Sequence, residues 1–598
     1  MSLRAVHAGT GYQYLLRSVA THDADPEGQS LSDYYAAKGT PPGRWIGKGI
    51  AGLESESVTV GATVTERQMA ALYGEGLHPD ADDKLEAGEP LSACKLGRAF
   101  PFYTAGVPVL EALSAAEKAF RQSEGRRPDE VERGEIAEKV GRPFYMAEGG
   151  YSHASGADVI AFVNRERDRV RQAVAGFDFT FSPVKSVSVL WALADEKTAS
   201  QIAAIHHEAV AEALAWAEDN AVYTRVGTNG IEQVKTKGIV ASEFTHFDTR
   251  GGDPDLHSHV LLANKVQTED GQWKTLDSRT IHQMHQVIGA RYNNALQDRL
   301  ARRLGLEFTA RYPDPTKSPV WEVAGVPARL CDAFSSRRRL ARPVYEQLVA
   351  EYVAKHGHQP AQRAGYALWQ KAILDTRDAK KPAESLSEHR RNWRESAVRV
   401  VGEVAVDRLL DDVRTAGPES HARPVFDPAE HADTVAAEAI RAVTGKRAQF
   451  RTSHVDTAVS VALKGYRFTS DDHRRHAHDV ALRAAMTGHA VRLTPGSCWT
   501  FRAPSLPPMG RPSTAARTPS STPPVASWRP RSPSSTPPVN PSPCSPPTRA
   551  STPPWPATRR PTAGLSTTDR PPSPVTSRTP GRSSPQGSAR PEPARPRA

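Results

Sequence analysis

Cysteine is scarce in this chain of 598 residues, and long apolar runs are missing. The four cysteines lie far apart and form no CxxC pair, at Cys94, Cys331, Cys498 and Cys544. Such spacing argues against a disulfide framework or a thiolate zinc site, and it favours a reducing cytoplasm. The amino terminus has no apolar core of signal-peptide type, and no apolar run approaches the roughly 18 residues of a membrane span. We therefore expect a soluble, cytoplasmic protein without membrane insertion.

Acidic residues are nearly absent from the carboxyl-terminal segment, and this accounts for the net charge of +10. Residues 501–598 hold 14 Arg, no Lys and two acids, a net charge of +12, so the first 500 residues carry −2. The same segment contains 27 of the 49 prolines, mixed with Ser and Thr. This composition cannot bury a core and predicts a disordered tail over residues 491–598, either natural or produced by a frameshift. Overall charge is therefore poor evidence that the folded part binds nucleic acid.

Upstream of the tail, the apolar pattern switches between strand and helix periods. FDFTFSPVKSVSVLWAL (177–193) starts as an alternating strand, and residues 197–219 form an amphipathic helical pattern. GIVASEFTHFDTR and HSHVLLANKVQ then predict two strands around a Gly-Asp-Pro loop, followed by a short strand in GQWKTLD. A helix is predicted over residues 281–305, where it stops at a glycine. This order predicts an α+β sheet domain, followed by a mainly helical region over residues 331–490.

Three histidines stand close together in FTHFDTRGGDPDLHSHVLLAN (244–264). Side chains two apart on a strand share a face, so His257 and His259 form a pair, and a hairpin brings His246 alongside them. Three neutral imidazoles without a thiolate suit zinc, nickel, manganese or a similar divalent ion, and leave coordination positions open. A metal held in this way can bind a phosphoryl oxygen and offset the charge that develops during phosphoryl transfer. The simpler interpretation is a solvated polar face of a strand.

A carboxylate behind the ligands would strengthen the metal interpretation, because ligating histidines usually donate their other N–H to one. Asp178 is the candidate, since it lies on the polar face of an otherwise aromatic strand; the alternative is an ordinary exposed aspartate. The histidines on predicted helices are interpreted as surface or packing residues, namely His206, His207, His282 and His285.

Tyrosines cluster near the amino terminus, in GYQYL (11–15) and SDYYAAKG (32–39). A phenol ionises near pKa 10, so its attack on a phosphate at neutral pH needs a general base or a nearby cation. A metal at the histidines meets that need and makes four residues candidate nucleophiles, Tyr12, Tyr14, Tyr34 and Tyr35. The alternative is that these side chains only pack.

Four stretches of the sequence resemble the MobF (TrwC-type) conjugative relaxases, members of the HUH single-strand endonucleases. They are DYYAAKGTPPGRWIGKG with the preceding tyrosines, FDFTFSPVKSVS, THFDTRGGDPDLHSHVLLAN and ARYNNALQDRLARRLGLEF. The resemblance spans about residues 1–330 and implies a palm-like antiparallel sheet flanked by helices. It also implies that His246, His257 and His259 bind a divalent ion, Mg, Mn, Zn or Ni, and that Asp178 orients one of them.

The implied reaction is transesterification at the nick site of a plasmid or integrative-element transfer origin. A tyrosine attacks the scissile phosphate, becomes linked to the DNA 5′ phosphate and frees a 3′ hydroxyl. Single-stranded transfer-origin DNA is the implied partner, with a type IV secretion coupling protein as a further one. Lys185 and Arg250 are either contacts to DNA phosphates or solvated surface charges. Relatives carry adjacent tyrosine pairs, whereas Gln13 splits the first set here, so which tyrosine acts first stays open.

The phosphate-binding motif GxxxxGK[ST] of an ATP-driven helicase has no match, since TGKR at 444–447 lacks the leading glycine and the Ser/Thr. We therefore expect a relaxase without its motor, in which residues 331–490 begin a truncated helicase part. One rival function is a rolling-circle replication initiator, which the order of tyrosines before histidines disfavours. The others are a metal-dependent hydrolase that activates water, which forms no covalent adduct, and a non-catalytic single-stranded DNA-binding remnant, which binds without cleaving.

Overall fold

The computed structural model describes residues 1–16, 40–101, 103–104, 106–149, 153–312, 319–376, 384–420, 423–491 and 493. The candidate nucleophiles Tyr34 and Tyr35 lie outside these residues, as does nearly all of the predicted tail over 491–598. Among the described residues, no helix is both long enough and apolar enough to cross a membrane.

A five-stranded antiparallel sheet forms the centre of the fold, in the order β1-β3-β7-β6-β2. Each neighbouring pair in that order is antiparallel, which confirms the predicted α+β fold with an antiparallel sheet. The strands of the described residues are β1 (Ser2–His7), β2 (Arg44–Ile46), β3 (Val174–Phe181), β4 (Tyr223–Val226), β5 (Glu232–Lys235), β6 (Ala241–Asp248), β7 (Pro254–Ala263), β8 (Val266–Gln267), β9 (Trp273–Lys274), β10 (Phe308–Arg311) and β11 (Val320–Val323).

Helices precede, connect and follow these strands. The helices up to the end of the sheet region are α1 (Gln13–Leu16), α2 (Glu66–Met69), α3 (Ala81–Glu86), α4 (Pro108–Glu124), α5 (Glu130–Ala147), α6 (Gly156–Arg169), α7 (Lys185–Leu193), α8 (Glu196–Asn220) and α9 (Ser278–Leu304). Those that follow are α10 (Ala328–Ala333), α11 (Ser336–His356), α12 (Gln362–Asp375), α13 (Leu386–Val401), α14 (Glu403–Asp407), α15 (Leu409–Ser420), α16 (Pro428–Thr444), α17 (Thr452–Ala462) and α18 (Asp471–Gly488). Short 3-10 segments lie at Lys48–Leu53, Thr228–Gly230 and Leu463–Gly465, and a π-helical turn at Ala70–Glu75.

Side chains of the central strands alternate between two buried faces. Phe177, Phe179 and Phe181 of β3 belong to a hydrophobic cluster with α7, α8 and α9, and we call this side of the sheet the helix face. Asp178 points to the opposite side, which we call the site face. There Leu261 of β7 packs in a second cluster that includes residues from α1, β2 and α2. Because both faces are covered, a polar group on either one needs a partner within the protein.

Residues on both sides of position 330 pack together. Leu330, Phe334 and Trp393 belong to the same hydrophobic cluster as the helix face of β3. Trp393 donates its indole N–H to the carbonyl of Gly252, at 2.7 Å, in the loop between β6 and β7. The helices after β11 therefore cover one end of the sheet. The domain boundary at residue 330 stays a prediction.

The last described helices, α16 to α18, enclose a small hydrophobic cluster of their own. Buried ion pairs join this bundle to α8 and α9: Arg474 contacts Glu212 at 2.7 Å and Asp298 at 3.1 Å. Since Arg474 is 4% exposed, its charge is compensated inside the protein rather than by water.

Candidate metal centre

The β6–β7 hairpin brings the three histidines of the sequence motif together. His246 pairs directly with His257 across the two strands, and His259 follows two residues along β7 on the same face. The three ring centroids lie 5.0 to 5.2 Å apart. One ligand nitrogen from each ring can be chosen so that all three lie within 4.8 Å of one another. This spacing allows one cation to contact all three imidazoles.

Two of these rings are held by hydrogen bonds from their Nδ1 atoms. His257 Nδ1 lies 2.7 Å from the backbone carbonyl of Asp255, and His259 Nδ1 lies 2.9 Å from a carboxylate oxygen of Asp178. Each Nδ1 therefore donates, so each Nε2 keeps its lone pair for a metal. Burial lowers the pKa of His257, which favours the neutral ring that a ligand requires. Asp178 is only 3% exposed, which excludes the interpretation of an ordinary exposed aspartate.

Tyr14 is the candidate nucleophile that the structure places beside the histidines. Its hydroxyl donates to Asp178 at 2.5 Å, on the carboxylate that also accepts from His259. The rings of Tyr14 and His259 meet edge to face, with centroids 5.9 Å apart. Burial and then the charge of Asp178 raise the pKa of Tyr14 above its ordinary value, so the phenol keeps its proton until a base removes it.

Tyr12 lies in a different environment although it is only two residues away. It is 1% exposed and packs in the hydrophobic cluster behind the site face. Its hydroxyl points to a carboxylate oxygen of Glu66, at 3.4 Å. The structure thus brings Tyr14, but not Tyr12, to the histidines.

A cleft of about 1130 Å³ opens at the three histidines. Tyr14 and the predicted phosphate contact Arg250 line it, and Arg250 is exposed. Lys185, the other predicted phosphate contact, is not among the lining residues, and its ammonium donates to the carbonyl of Pro254 at 2.9 Å. Its contact to a phosphate stays a prediction.

The opposite wall of the cleft comes from residues that the sequence did not indicate. Arg337 and Arg339 at the start of α11 and Arg399 near the end of α13 line it, and all three are exposed. Acidic groups lie there as well: Asp248 and Glu384 flank His389, at 4.0 and 3.4 Å. The cleft therefore presents separate cationic side chains rather than one uniformly basic surface.

The TrwC relaxase family model matches residues 8–400, which is more than half of the chain. The chain belongs to the TrwC relaxase family. The resemblance seen in the sequence is thereby confirmed. The match extends to residue 400 and so includes the helices that form the opposite wall of the cleft.

Relatives of this TrwC-family chain include two curated proteins, both named Multifunctional conjugation protein TraI. The one from Escherichia coli is 29% identical over 305 residues, which cover 48% of this chain and 15% of the relative. The one from Escherichia coli strain K12 is 29% identical over 300 residues, with the same two coverages of 48% and 15%. The chain therefore spans only a small part of the length of these relatives.

Two similar solved structures are of the conjugative relaxase TrwC in complex with oriT DNA. The metal-free one is 20% identical with a TM-score of 0.36, and it covers 67% of this chain and 97% of that chain. The metal-bound one is 20% identical with a TM-score of 0.37, and the coverages are 67% and 98%.

Proposed function

We propose that this chain nicks one strand of DNA at a transfer origin by metal-assisted transesterification, with Tyr14 as the first nucleophile. The observation that carries the proposal is the contact series from Tyr14 through Asp178 to His259, which links a phenol to the three-histidine cluster. Membership of the TrwC relaxase family supports the reaction class. The curated relatives are conjugation proteins, which supports a transfer origin as the DNA.

The donor set fits a divalent metal ion. His246, His257 and His259 would hold it through three nitrogens, without thiolate or carboxylate ligands, and such a set leaves positions open for substrate. When bound, the ion supplies positive charge that offsets the charge developing on the phosphoryl oxygens. Three imidazole nitrogens favour Zn or Ni over Mg, which prefers oxygen ligands, and they do not identify the ion further.

Asp178 and Tyr14 carry out the proton transfer of the proposed step. As the oxygen of Tyr14 forms its bond to phosphorus, Asp178 accepts the phenol proton along their 2.5 Å hydrogen bond. The bond between phosphorus and the 3′ oxygen breaks, and that oxygen takes up a proton from water to become a 3′ hydroxyl. The product is a DNA 5′ phosphate esterified to Tyr14. Attack by a 3′ hydroxyl on this ester reverses the step and restores the phenol.

The cleft supplies the surface for a single DNA strand. Arg250 on the β6–β7 loop lines it, together with Arg337, Arg339 and Arg399 on the later helices. Guanidinium groups hold phosphates in place without reading bases, so we assign them to positioning the strand.

The decisive experiment traps the covalent adduct on labelled single-stranded oligonucleotides. A random-sequence pool is incubated with the protein and Mn²⁺, and protein is resolved under denaturing conditions. A 3′ label should stay on the protein, whereas a 5′ label should leave on a shortened strand with an extendable 3′ hydroxyl. Tyr14→Phe should lose the adduct, and the matched variant Tyr12→Phe should keep it.

Three outcomes would contradict parts of the proposal. If Tyr14→Phe formed the adduct at the wild-type rate, Tyr14 would not be the first nucleophile. Tyr34 and Tyr35 would then be the next candidates. Cleaved DNA with no adduct would favour a hydrolase that activates water. Binding without cleavage in Mg²⁺, Mn²⁺, Zn²⁺ and Ni²⁺ would favour a DNA-binding remnant.

A further inference from the structure

A buried series of hydrogen bonds lies on the helix face, directly behind the histidine pair of β7. Ser258 stands between His257 and His259 and points to the side opposite theirs, because side chains alternate along a strand. Its Oγ lies 3.0 Å from Nε2 of His206 on α8, and Nδ1 of His206 lies 2.8 Å from the hydroxyl of Tyr292 on α9. Ser258, His206 and Tyr292 are each 0% exposed.

Burial holds the pKa of His206 well below its ordinary value, so its neutral ring has a single N–H. One ring nitrogen therefore donates and the other accepts, and the hydroxyls of Ser258 and Tyr292 can each take the complementary role. Both nitrogens of the buried ring thus have a partner within the protein.

His206 lies on the apolar side of an amphipathic helix, between the buried residues Ile202 and Val210. A histidine in such a place is commonly a satisfied core residue, and the sequence alone indicates a surface or packing residue. The structure adds that its hydrogen bond reaches the one residue between two candidate metal ligands.

We propose that His206 is a positioning residue for the metal site. Through Ser258 it holds β7 against α8 and so sets how the two imidazoles of that strand converge. The inference rests on the proposed function, because it concerns the same three-histidine site.

Removing the Ser258 hydroxyl would leave Nε2 of the buried His206 without its hydrogen-bond partner. The strand or the helix must then shift to admit water or a new contact. Peptide bonds join Ser258 to His257 and His259. Such a shift therefore moves both imidazoles and changes the distances among the ligand nitrogens. Metal sites typically lose about 10–100-fold in affinity when a group hydrogen-bonded to a ligand is removed, so a group that acts through the backbone should cost no more than the lower end of that range.

The test measures Co²⁺ binding to the full chain by calorimetry, below the melting temperature of every variant. Ser258→Ala should weaken Co²⁺ binding by up to about 10-fold and alter the visible absorption band of the Co²⁺ protein, since that band reports ligand geometry. Ser258→Thr keeps the hydroxyl and should restore most of the affinity and the band. Thr245→Val is the matched control. Thr245 lies on β6 and pairs with Ser258 of β7, but it does not belong to the hydrogen-bond series, so this variant removes a nearby hydroxyl and leaves the series intact.

A second variant covers the case in which Ser258→Ala does not fold. Tyr292→Phe removes the hydroxyl that is hydrogen-bonded to His206 Nδ1, at nearly constant shape, and it should weaken Co²⁺ binding by a smaller factor than Ser258→Ala.

The outcomes separate this inference from the proposed function. Wild-type affinity and an unchanged band in Ser258→Ala would overturn the inference alone, even with a lower melting temperature, because the series would then support only the fold. A wild-type chain that binds no Co²⁺ would overturn the proposed metal site and this inference with it.

Discussion

Neighbouring side chains of β7 point to opposite faces of the sheet and lie in two different polar environments. On the helix face, Ser258 belongs to a buried series of hydrogen bonds that runs through His206 to Tyr292, so that each of these side chains has a partner within the protein. On the site face, His257 and His259 converge with His246, so that three nitrogens lie within 4.8 Å. The first arrangement is complete without a ligand, whereas the second is suited to receive a cation.

The difference shows how one strand serves stability and chemistry at the same time. Alternation along β7 and β3 places residues of each kind one position apart. Apolar residues of the helix face, outside the Ser258 series, should therefore affect folding stability, whereas residues of the site face should affect metal binding and nicking.

The largest expected loss of nicking follows from replacing a metal ligand on the site face. His257→Ala should abolish nicking, a loss beyond the about 10–100-fold expected for a change behind a ligand, while oligonucleotide binding falls much less. Chelation of metal from the wild type should have the same effect and be reversed by adding Mn²⁺. Nicking of a labelled oligonucleotide is the measurement. His285→Ala, on α9, is the control, and normal cleavage by His257→Ala would refute the ligand assignment.

On the helix face, a large effect should appear in stability instead. Phe179 is 0% exposed and packs among aromatic and aliphatic residues of β3, α7 and α8. Phe179→Ala should lower the free energy of unfolding by about 3–5 kcal/mol, the cost of losing a buried aromatic ring and leaving a cavity. Denaturant unfolding measures this change. Metal affinity per folded molecule should stay at the wild-type value. A loss of metal affinity that matches the loss of stability would contradict the separation of the two faces.

Asp178 lies next to Phe179 on β3 but points to the site face. Asp178→Asn should therefore change metal binding rather than stability, and by less than the loss of a metal ligand does. The amide oxygen can still accept from His259, but the negative charge is lost. We expect Co²⁺ affinity to fall about 10–100-fold, with little change in the unfolding midpoint. The control is Asp472→Asn on α18, whose side chain is 91% exposed. Unchanged Co²⁺ affinity in Asp178→Asn would show that Asp178 does not support the metal ligands.

The three histidines and Asp178 were accessible from the sequence because strand geometry is local. A spacing of two on a strand means one face, and a short loop means an adjacent strand. The distinction between Tyr12 and Tyr14 was not accessible in this way. The chain turns into α1 at Gln13, and in a helical turn residues two apart point to different sides. Neither spacing nor composition states which side meets the histidines.

The opposite wall of the cleft depends on contacts between residues far apart in the chain. The hydrogen bond from Trp393 to Gly252 and that from Ser336 to Asp253 dock helices after residue 328 onto the β6–β7 loop. No local pattern in an Ala/Arg/Glu-rich helix encodes such docking. His206 did carry a signal, because a histidine among apolar residues at helical spacing is expected to be buried and to need partners.

The smallest expected effect concerns that wall and its arginines. If Arg399 contacts one phosphate, Arg399→Gln should weaken single-strand binding uniformly across sequences and lower the slope of log affinity against log salt by about 0.7. Fluorescence anisotropy of a labelled oligonucleotide at several salt concentrations gives this slope. Arg441→Gln, an exposed arginine on α16 that does not line the cleft, should leave it unchanged. Lys185→Gln in the same assay distinguishes the two roles of that residue: an equal drop in slope would support the phosphate contact predicted from sequence, whereas an unchanged slope with a lower melting temperature would assign Lys185 to holding Pro254.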